Sequence, residues 1–286
     1  MTHVPHKALL PASPTVVAWN GSPQSRAALL WALERERAGQ GALTLLAVID
    51  EAFRSCGAAA MAELALIARS ALSAEIAWAR QAAPTVTVTA QVLTGDPKEQ
   101  ILLHCPPGAL LVVGHREPGT PGERGSLAAQ LSALAAVPVV LVAAPPETEH
   151  TDVVVGVDGS QASRQACLVA AAEARLRQSA VRLVHAWPGV VDGVLEADGQ
   201  GHAEHRALLN AEVNTIREAF LGLTVHGVLE SGSATGVLQR HAHDAAALVV
   251  GSRGHGPVKR LLLGSVSRAL VLRVDCPLII VKADPA

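Results

Sequence analysis

Short apolar runs rich in valine and leucine alternate with longer amphipathic segments along the whole chain. In the C-terminal half these runs predict strands near 153–157, 180–186, 224–229, 247–251 and 278–282. The segments between them predict helices near 161–178, 203–220, 233–243 and 265–274. The N-terminal half predicts strands near 15–19, 42–49, 85–93, 109–113 and 138–142, and its first helix starts with Ser22 as N-cap and Pro23 as first residue. This alternation predicts a parallel sheet covered by helices on both faces.

The two halves of the chain repeat one another. VVAWNGSPQSRAAL (16–29) aligns with VVGVDGSQASRQAC (154–167), ALLVVG (109–114) with ALVVG (247–251), and VPVVLVA (137–143) with CPLIIVKA (276–283). The three offsets are 154 − 16 = 138, 251 − 114 = 137 and 277 − 138 = 139 residues. Blocks in the same order at a nearly constant offset indicate a duplicated domain. We therefore predict two tandem α/β domains, residues 1–146 and 147–286, each with a five-stranded parallel sheet.

Composition excludes several classes of partner. The formal net charge is −2, aromatic residues make up 2% of the chain, and tyrosine is absent. The sequence thus lacks both the basic surface and the stacking side chains of a nucleic-acid-binding protein. The longest apolar stretch, LSALAAVPVVLVAA, is interrupted by Ser132 and Pro138 and is too short for a membrane span. We expect neither nucleic acid nor membrane as a partner.

Localisation is predicted from the N-terminus and the cysteines. The first residues, MTHVPHKALLPASPT, contain no uninterrupted apolar core of a signal peptide. The four cysteines form no C-x-x-C pair and lie in apolar surroundings, which is typical of buried thiols in a reducing compartment. A cytoplasmic protein is the expectation.

Unusual residues follow three predicted strands of the second half. Asp158 follows the first strand, HAW ends the second, and GSRGHGPVKRLLLGS (251–265) follows the fourth. Glycines in that last loop allow positive φ and let backbone N–H groups approach an anion, and Gly264-Ser265 opens the next helix. Lys259 and Arg260 add positive charge, so the loop predicts a phosphate site. The alternative is a purely structural turn, and no Walker motif or G-x-G-x-x-G is present.

The same residues carry a family resemblance over essentially the whole chain. Gly251-x-x-Gly254, nine residues and then Gly264-Ser265 resembles the ATP-binding signature of the universal stress protein family. Asp158 at a strand end and the closing CPLIIVK agree with this resemblance. It implies a doubly wound, Rossmann-like fold with strand order 3-2-1-4-5, and ATP, with or without Mg²⁺, as the ligand.

The resemblance also implies a role for each site residue. Asp158 would contact the ribose or a magnesium ion, and the backbone of Ala186 would lie along the adenine. Ribose and phosphates would be lined by Val250, Gly251, Arg253 and Gly254. The helix start would hold the phosphates through Gly264, Ser265, Val266 and Ser267.

The first half departs from the signature. Asn20 stands where the second half has Asp158, and Glu117 replaces the second glycine. From Gly114 to Gly125 is 11 positions, against 13 from Gly251 to Gly264. We expect an altered site that binds no nucleotide, although a different occupant stays open.

Twelve histidines invite a metal-site hypothesis, which the sequence does not favour. The pairs His202/His205 and His241/His243 lack a cysteine or acidic partner at zinc-site spacing, so we expect them to be solvated.

Two classes of function follow, with a scaffold that binds nothing as a weaker third. A regulator whose bound ATP sets a conformation or a partner's affinity is implied by the resemblance. An ATPase or a phosphoryl or adenylyl transferase in the same crevice is the alternative. The apolar closing strands of the two halves favour an intramolecular pseudo-dimer or a homodimer. The sequence does not identify the protein partner.

Overall fold

The structure is a computed structural model that describes residues 13–39, 41–115, 127–143, 152–188, 190–191, 194–195, 200–254, 263–274 and 276–283. The chain divides into two compact units, with the division after Pro145. Each unit contains a parallel sheet with helices, and each is described in turn.

The first unit contains five strands in the order β3-β2-β1-β4-β5. They are β1 (Thr15–Ala18), β2 (Ala42–Asp50), β3 (Thr87–Gly95), β4 (Leu110–Gly114) and β5 (Val139–Val142). The described helices are α1 (Pro23–Gly39), α2 (Ala58–Ala82), α3 (Pro97–His104) and α4 (Leu127–Leu134), and a 3₁₀-helix spans Glu51–Cys56. All pairings within this sheet are parallel.

The second unit repeats this arrangement. Its strands are β6 (Val153–Gly156), β7 (Val181–Trp187), β10 (Val225–Ser231), β11 (Ala247–Gly251) and β12 (Leu278–Val281). Their order is β10-β7-β6-β11-β12, again with parallel pairings. A short antiparallel pair, β8 (Val190–Val191) and β9 (Val194–Leu195), follows β7. The described helices are α5 (Gln161–Leu176), α6 (Gln200–Ala219), α7 (Ala234–Ala242) and α8 (Ser265–Val271).

The predicted fold class is confirmed, because both sheets have the order 3-2-1-4-5. The central strand β1 is short and buried at every position, and so is β5 at the edge of this unit's sheet. A strand covered on both sides has no polar face, which explains why continuous apolar runs identified the strands so closely. The predicted strand bounds agree with the observed ones within two residues.

Four of the described helices, α1, α3, α5 and α7, begin at a side-chain cap. The N–H of Ser25 donates to Ser22 Oγ at 3.1 Å, which confirms the predicted start of α1. Ser160 Oγ accepts the N–H of Ser163 at the start of α5, and Asp96 and Ser233 cap α3 and α7 in the same way. Helices α2 and α8 differ, since their N-caps are Gly57 and Gly264 and no side chain caps either start.

Two expectations drawn from the composition can be compared with the structure. Within the described residues, no helix is both long enough and apolar enough to span a bilayer. None of the four cysteines forms a disulfide, but Cys56 is exposed and only Cys167 is fully buried. The prediction of buried thiols is therefore wrong for Cys56, because the 3₁₀-helix that carries it has no buried residue.

Candidate functional site

The candidate site lies at the carboxyl ends of β6 and β11. These strands are neighbours, with Val155 paired to Val249, so the loops that follow them leave the sheet side by side. The strand order reverses at this point, which is where open α/β sheets place their ligands. Residues 157–160 and 251–254 therefore face one crevice.

Asp158 is held by the turn in which it lies. Its Oδ1 accepts the N–H of Ser160 at 2.9 Å, and its own N–H donates to Ser163 Oγ at 3.1 Å. Gly159 has φ 79°, as this tight turn requires. With Oδ1 occupied, Oδ2 is the oxygen that remains to accept from another group.

Gly254 is a glycine because Asp158 lies against it. A Cβ at position 254 would be 2.3 Å from Asp158 Oδ2. Ser160 Oγ also donates to the carbonyl oxygen of Arg253 at 3.3 Å, which joins the two loops. Neither Gly251 nor Gly254 has positive φ. The expectation that they supply left-handed backbone is wrong; close approach explains both residues.

Gly251 faces the start of helix α5. A Cβ there would be 2.9 Å from the carbonyl carbon of Ala162 and 3.0 Å from its Cβ. At the equivalent Gly114 a Cβ would be 2.4 Å from the carbonyl carbon of Gln24. The first glycine of the signature therefore allows a helix to pack on a strand, which explains why both halves contain it.

The first turn of helix α8 lies against the same loop. The N–H of Gly264 donates to the carbonyl oxygen of Ser252 at 2.7 Å, which holds the helix start beside β11. Ser267 Oγ donates to the same carbonyl at 3.2 Å and to that of Gly264 at 3.1 Å. The Ser267 hydroxyl proton is thus already used, whereas the first-turn N–H groups have no side-chain cap.

Two cations stand beside this helix start. Arg253 is exposed, and Lys282 follows β12, the neighbour of β11. Burial, and secondly the charge of Arg253, lowers the pKa of Lys282 below its ordinary value. Sequence reasoning missed Lys282, although its place directly after the closing strand was a usable signal. The predicted Lys259 and Arg260 lie outside the described residues.

A cluster of histidines lies at the carboxyl end of β7, the strand next to β6. His185 is buried; its Nδ1 lies 2.6 Å from the carbonyl oxygen of Val157, and its Nε2 lies 2.7 Å from His205 Nδ1. The ring of Trp187 meets His202 edge-on, with centroids 5.4 Å apart, and lies 5.9 Å from that of His205. Burial is the main cause of the lowered pKa of His185.

The prediction of solvated histidines is therefore wrong for three of the four histidines in the two predicted pairs. Helix α6 turns His202 and His205, three residues apart, toward the end of β7, where both are half-buried. His241 Nε2 lies 2.8 Å from Glu230 Oε2, and of the second pair only His243 is exposed. Among the described residues, no group of three or more His, Cys, Asp or Glu side chains is placed to hold a metal ion.

The remaining predicted residues differ in accessibility. Ala186 is half-buried on β7, Ser265 is exposed and Val266 is half-buried at the start of α8. Val250 and Ser267 are almost fully buried, so only their backbone atoms are suited to ligand contact. The strand order brings the ends of β7, β6 and β11 together in that sequence along the sheet.

The first unit has the same turn without the negative charge. Asn20 Oδ1 accepts the N–H of Ser22 at 3.0 Å, and Gly21 has φ 78°, close to the values at Asp158 and Gly159. A cavity of about 320 Å³ lies at this end of the sheet. Glu117, Gly125 and the loop between them lie outside the described residues.

Comparison with known proteins places the whole chain in one family. The sequence profile described as "Universal stress protein family" matches residues 13–143 and again 150–282. A universal stress protein of Mycobacterium tuberculosis (strain H37Rv) is 31% identical over 169 residues, which are 56% of this chain and 57% of that relative. The chain therefore spans little more than half the length of that relative.

A solved structure of nearly the same length shares the fold. The crystal structure of a universal stress protein from Archaeoglobus fulgidus DSM 4304 has a TM-score of 0.75 at 21% identity, covering 94% of this chain and 98% of that chain. A universal stress protein from Archaeoglobus fulgidus in complex with dAMP is 28% identical and covers 47% of this chain and 100% of its own, with a TM-score of 0.38.

Proposed function

The chain belongs to the universal stress protein family, and we propose that its second domain binds ATP and acts as a nucleotide-dependent regulator in the stress response. One ATP binds per chain, in the crevice at the ends of β6 and β11. The observation that carries this proposal is the close approach of Asp158 Oδ2 to Gly254. It brings a hydrogen-bond acceptor and a backbone segment without a side chain together at the point where the strand order of the sheet reverses.

Asp158 suits the sugar end of a nucleotide. Because its Oδ1 is occupied by the N–H of Ser160, the free Oδ2 is available to accept from ribose hydroxyls. The same oxygen suits Mg²⁺, which prefers carboxylate and phosphate oxygens. A bound magnesium ion would neutralise phosphate charge there.

The other side of the crevice suits phosphate. Arg253 and Lys282 supply positive charge; burial, and secondly the charge of Arg253, lowers the pKa of Lys282. The uncapped first turn of α8 offers backbone N–H groups from Ser265 and Val266. An anion bound here would relieve the repulsion between the two cations.

The regulatory part of the proposal rests on the small number of carboxylates in the described part of the crevice. Asp158 is the one carboxylate within the described segments 157–160, 185–188 and 251–254. A site that binds the ground state and the transition state equally strongly is occupied by its ligand but does not accelerate the reaction. ATP would therefore act by being bound, through the docking of the two domains or of further copies.

Isothermal titration calorimetry with ATP tests the site. We expect one site per chain, and we expect Asp158→Asn to weaken binding about tenfold or more, since a hydrogen bond to a charged acceptor is lost. The variant should fold, because Asn20 makes the same turn in the first domain. Two equal sites, or unchanged affinity in Asp158→Asn, would contradict the proposal.

Mass spectrometry of the denatured, freshly purified chain tests which nucleotide the protein carries. ATP or ADP is the expected co-purified species. Gel filtration with and without ATP then tests the regulatory part, with a change in assembly or compactness as the expected result. Identical elution in both conditions would count against regulation through docking.

A further inference from the structure

The first domain contains a cavity where the second domain has its candidate nucleotide site. This cavity, about 320 Å³, lies at the carboxyl ends of β1, β2 and β4 and reaches helices α3 and α4. Its apolar walls include Trp19, Leu46, Val48, Ile101 and Leu127. Its volume is at the lower end of the range for small-molecule sites, about 300–1,000 Å³. The space suits a ligand of one heterocycle rather than a nucleoside triphosphate.

The side chain of Asn20 differs from that of its counterpart Asp158 in one atom, and this difference changes a hydrogen-bond acceptor into a donor. Asn20 and Asp158 make the same turn, each accepting the N–H of the residue two positions later through Oδ1. The remaining atom is an acceptor in Asp158, Oδ2, and a donor in Asn20, Nδ2. Asn20 lines the cavity and is exposed. The first domain therefore offers an N–H donor where the second offers a carboxylate oxygen.

The described lining of the cavity also has a single titratable side chain, a histidine. It contains His115 but no Asp, Glu, Lys or Arg. The strand register places Ala143, after β5, where the second domain has Lys282 after β12. Among the described lining residues an anion would find the Asn20 Nδ2 donor but no Lys or Arg side chain, so its desolvation would be poorly compensated there.

We propose that the first domain binds a small uncharged heterocycle with a carbonyl or ring-nitrogen acceptor, held by Asn20 Nδ2 against the Trp19 wall. This ligand differs in class from the nucleotide proposed for the second domain. The chain would then sense two ligands, one through each copy of the same turn. The inference does not depend on ATP binding, because it concerns other residues.

Two tryptophan side chains can report on the two sites through their NMR signals. Trp19 lines the first cavity, and Trp187 lies at the end of β7 in the second domain. Their indole N–H resonances in the ¹⁵N-labelled full chain are assigned by Trp19→Phe and Trp187→Phe. The probes are matched neutral and anionic heterocycles, nicotinamide against nicotinate and uracil against orotate, with ATP as the probe for the second domain.

We expect nicotinamide or uracil at millimolar concentration to shift the Trp19 signal and leave that of Trp187 in place. The anionic partners should bind at least about tenfold more weakly. Asn20→Asp should reduce the response by about tenfold, since the donor is lost and a charge is added. This variant keeps its turn, as Asp158 shows. The matched control is Asn214→Asp, the same change at an exposed position of α6.

Three results would overturn the inference: no movement of the Trp19 signal with either neutral probe, an unchanged response in Asn20→Asp, or a Trp19 response to ATP as strong as that to the neutral probes. Failure of the nucleotide proposal is separate, because it would appear as an ATP titration that leaves the Trp187 signal unmoved.

Discussion

Asp158 Oδ2 and Gly254 are in such close approach that a Cβ on residue 254 would be 2.3 Å from that oxygen. They are 96 residues apart in sequence (254 − 158) and meet because β6 and β11 are neighbours. The second glycine of the signature is thus fixed by a carboxylate on another loop. A side chain at 254 would displace Asp158 from the turn in which Ser160 holds it.

Gly254→Glu should abolish ATP binding while leaving the fold intact. The new side chain displaces Asp158 and places a carboxylate beside the phosphates. Calorimetry measures the affinity, and circular dichroism checks the fold. Asn214→Glu, at an exposed position of α6, is the control for an added charge and should bind as the parent does. Parental affinity in Gly254→Glu would show that the phosphates lie elsewhere.

Gly251→Ala and Gly114→Ala should both destabilise their domains, by about 1–3 kcal/mol. Their Cβ atoms would press on helix backbone, at 2.9 Å from Ala162 and 2.4 Å from Gln24, and backbone cannot rotate away as a side chain can. Thermal unfolding measures the effect. A parental midpoint for either variant would refute the packing explanation of the first signature glycine.

Binding of ATP should take up protons at alkaline pH. Burial and Arg253 lower the pKa of Lys282 in the free protein, and a phosphate beside it would raise that pKa again. Lys282 would therefore regain a proton when ATP binds, and affinity should fall as the pH rises through the lowered pKa. Calorimetry in two buffers of different ionisation enthalpy measures the uptake.

Lys282→Met should remove this proton uptake and weaken binding several-fold. Lys98→Met on α3 of the first domain is the control and should leave both unchanged. Equal proton uptake in Lys282→Met and in the parent would mean that another group titrates.

The second domain should lose stability as the pH falls below about 6.5, the ordinary pKa of histidine. Burial lowers the pKa of His185, so the unfolded chain binds more protons than the folded one in this range. The stability is complete above about pH 6.5 and is lost as the pH falls through the lowered pKa. Urea unfolding at neutral and acidic pH measures the slope, which His185→Gln should flatten and His243→Gln, at an exposed position, should not.

Hydrolysis of ATP should be far slower than about 1 s⁻¹, the lower end of ordinary enzyme turnover. Phosphoryl transfer needs a group that orients the attacking water, and within residues 157–160, 185–188 and 251–254 Asp158 is the one carboxylate. A phosphate-release assay with saturating ATP and Mg²⁺ measures it. Faster turnover, lost in Asp158→Asn, would favour an enzyme over a regulator.

The sequence alone determined the fold class and the duplication. Each central strand is buried on both faces and is therefore a continuous apolar run, so local hydrophobicity sufficed to place β6, β11 and their counterparts β1 and β4. Ser22 and Pro23 likewise marked the start of α1, because a helix cap depends on neighbouring residues only.

Only the tertiary structure decided how the site residues are used. Gly251 faces a helix and Gly254 a carboxylate, a distinction between two glycines that no local pattern contains. Lys282 and the His185–His205 pair lie near the crevice. They do so because neighbouring strands and a covering helix bring together residues that are distant in sequence. Contacts of this kind depend on strand order, and strand order is set by the packing of the whole sheet rather than by any one segment.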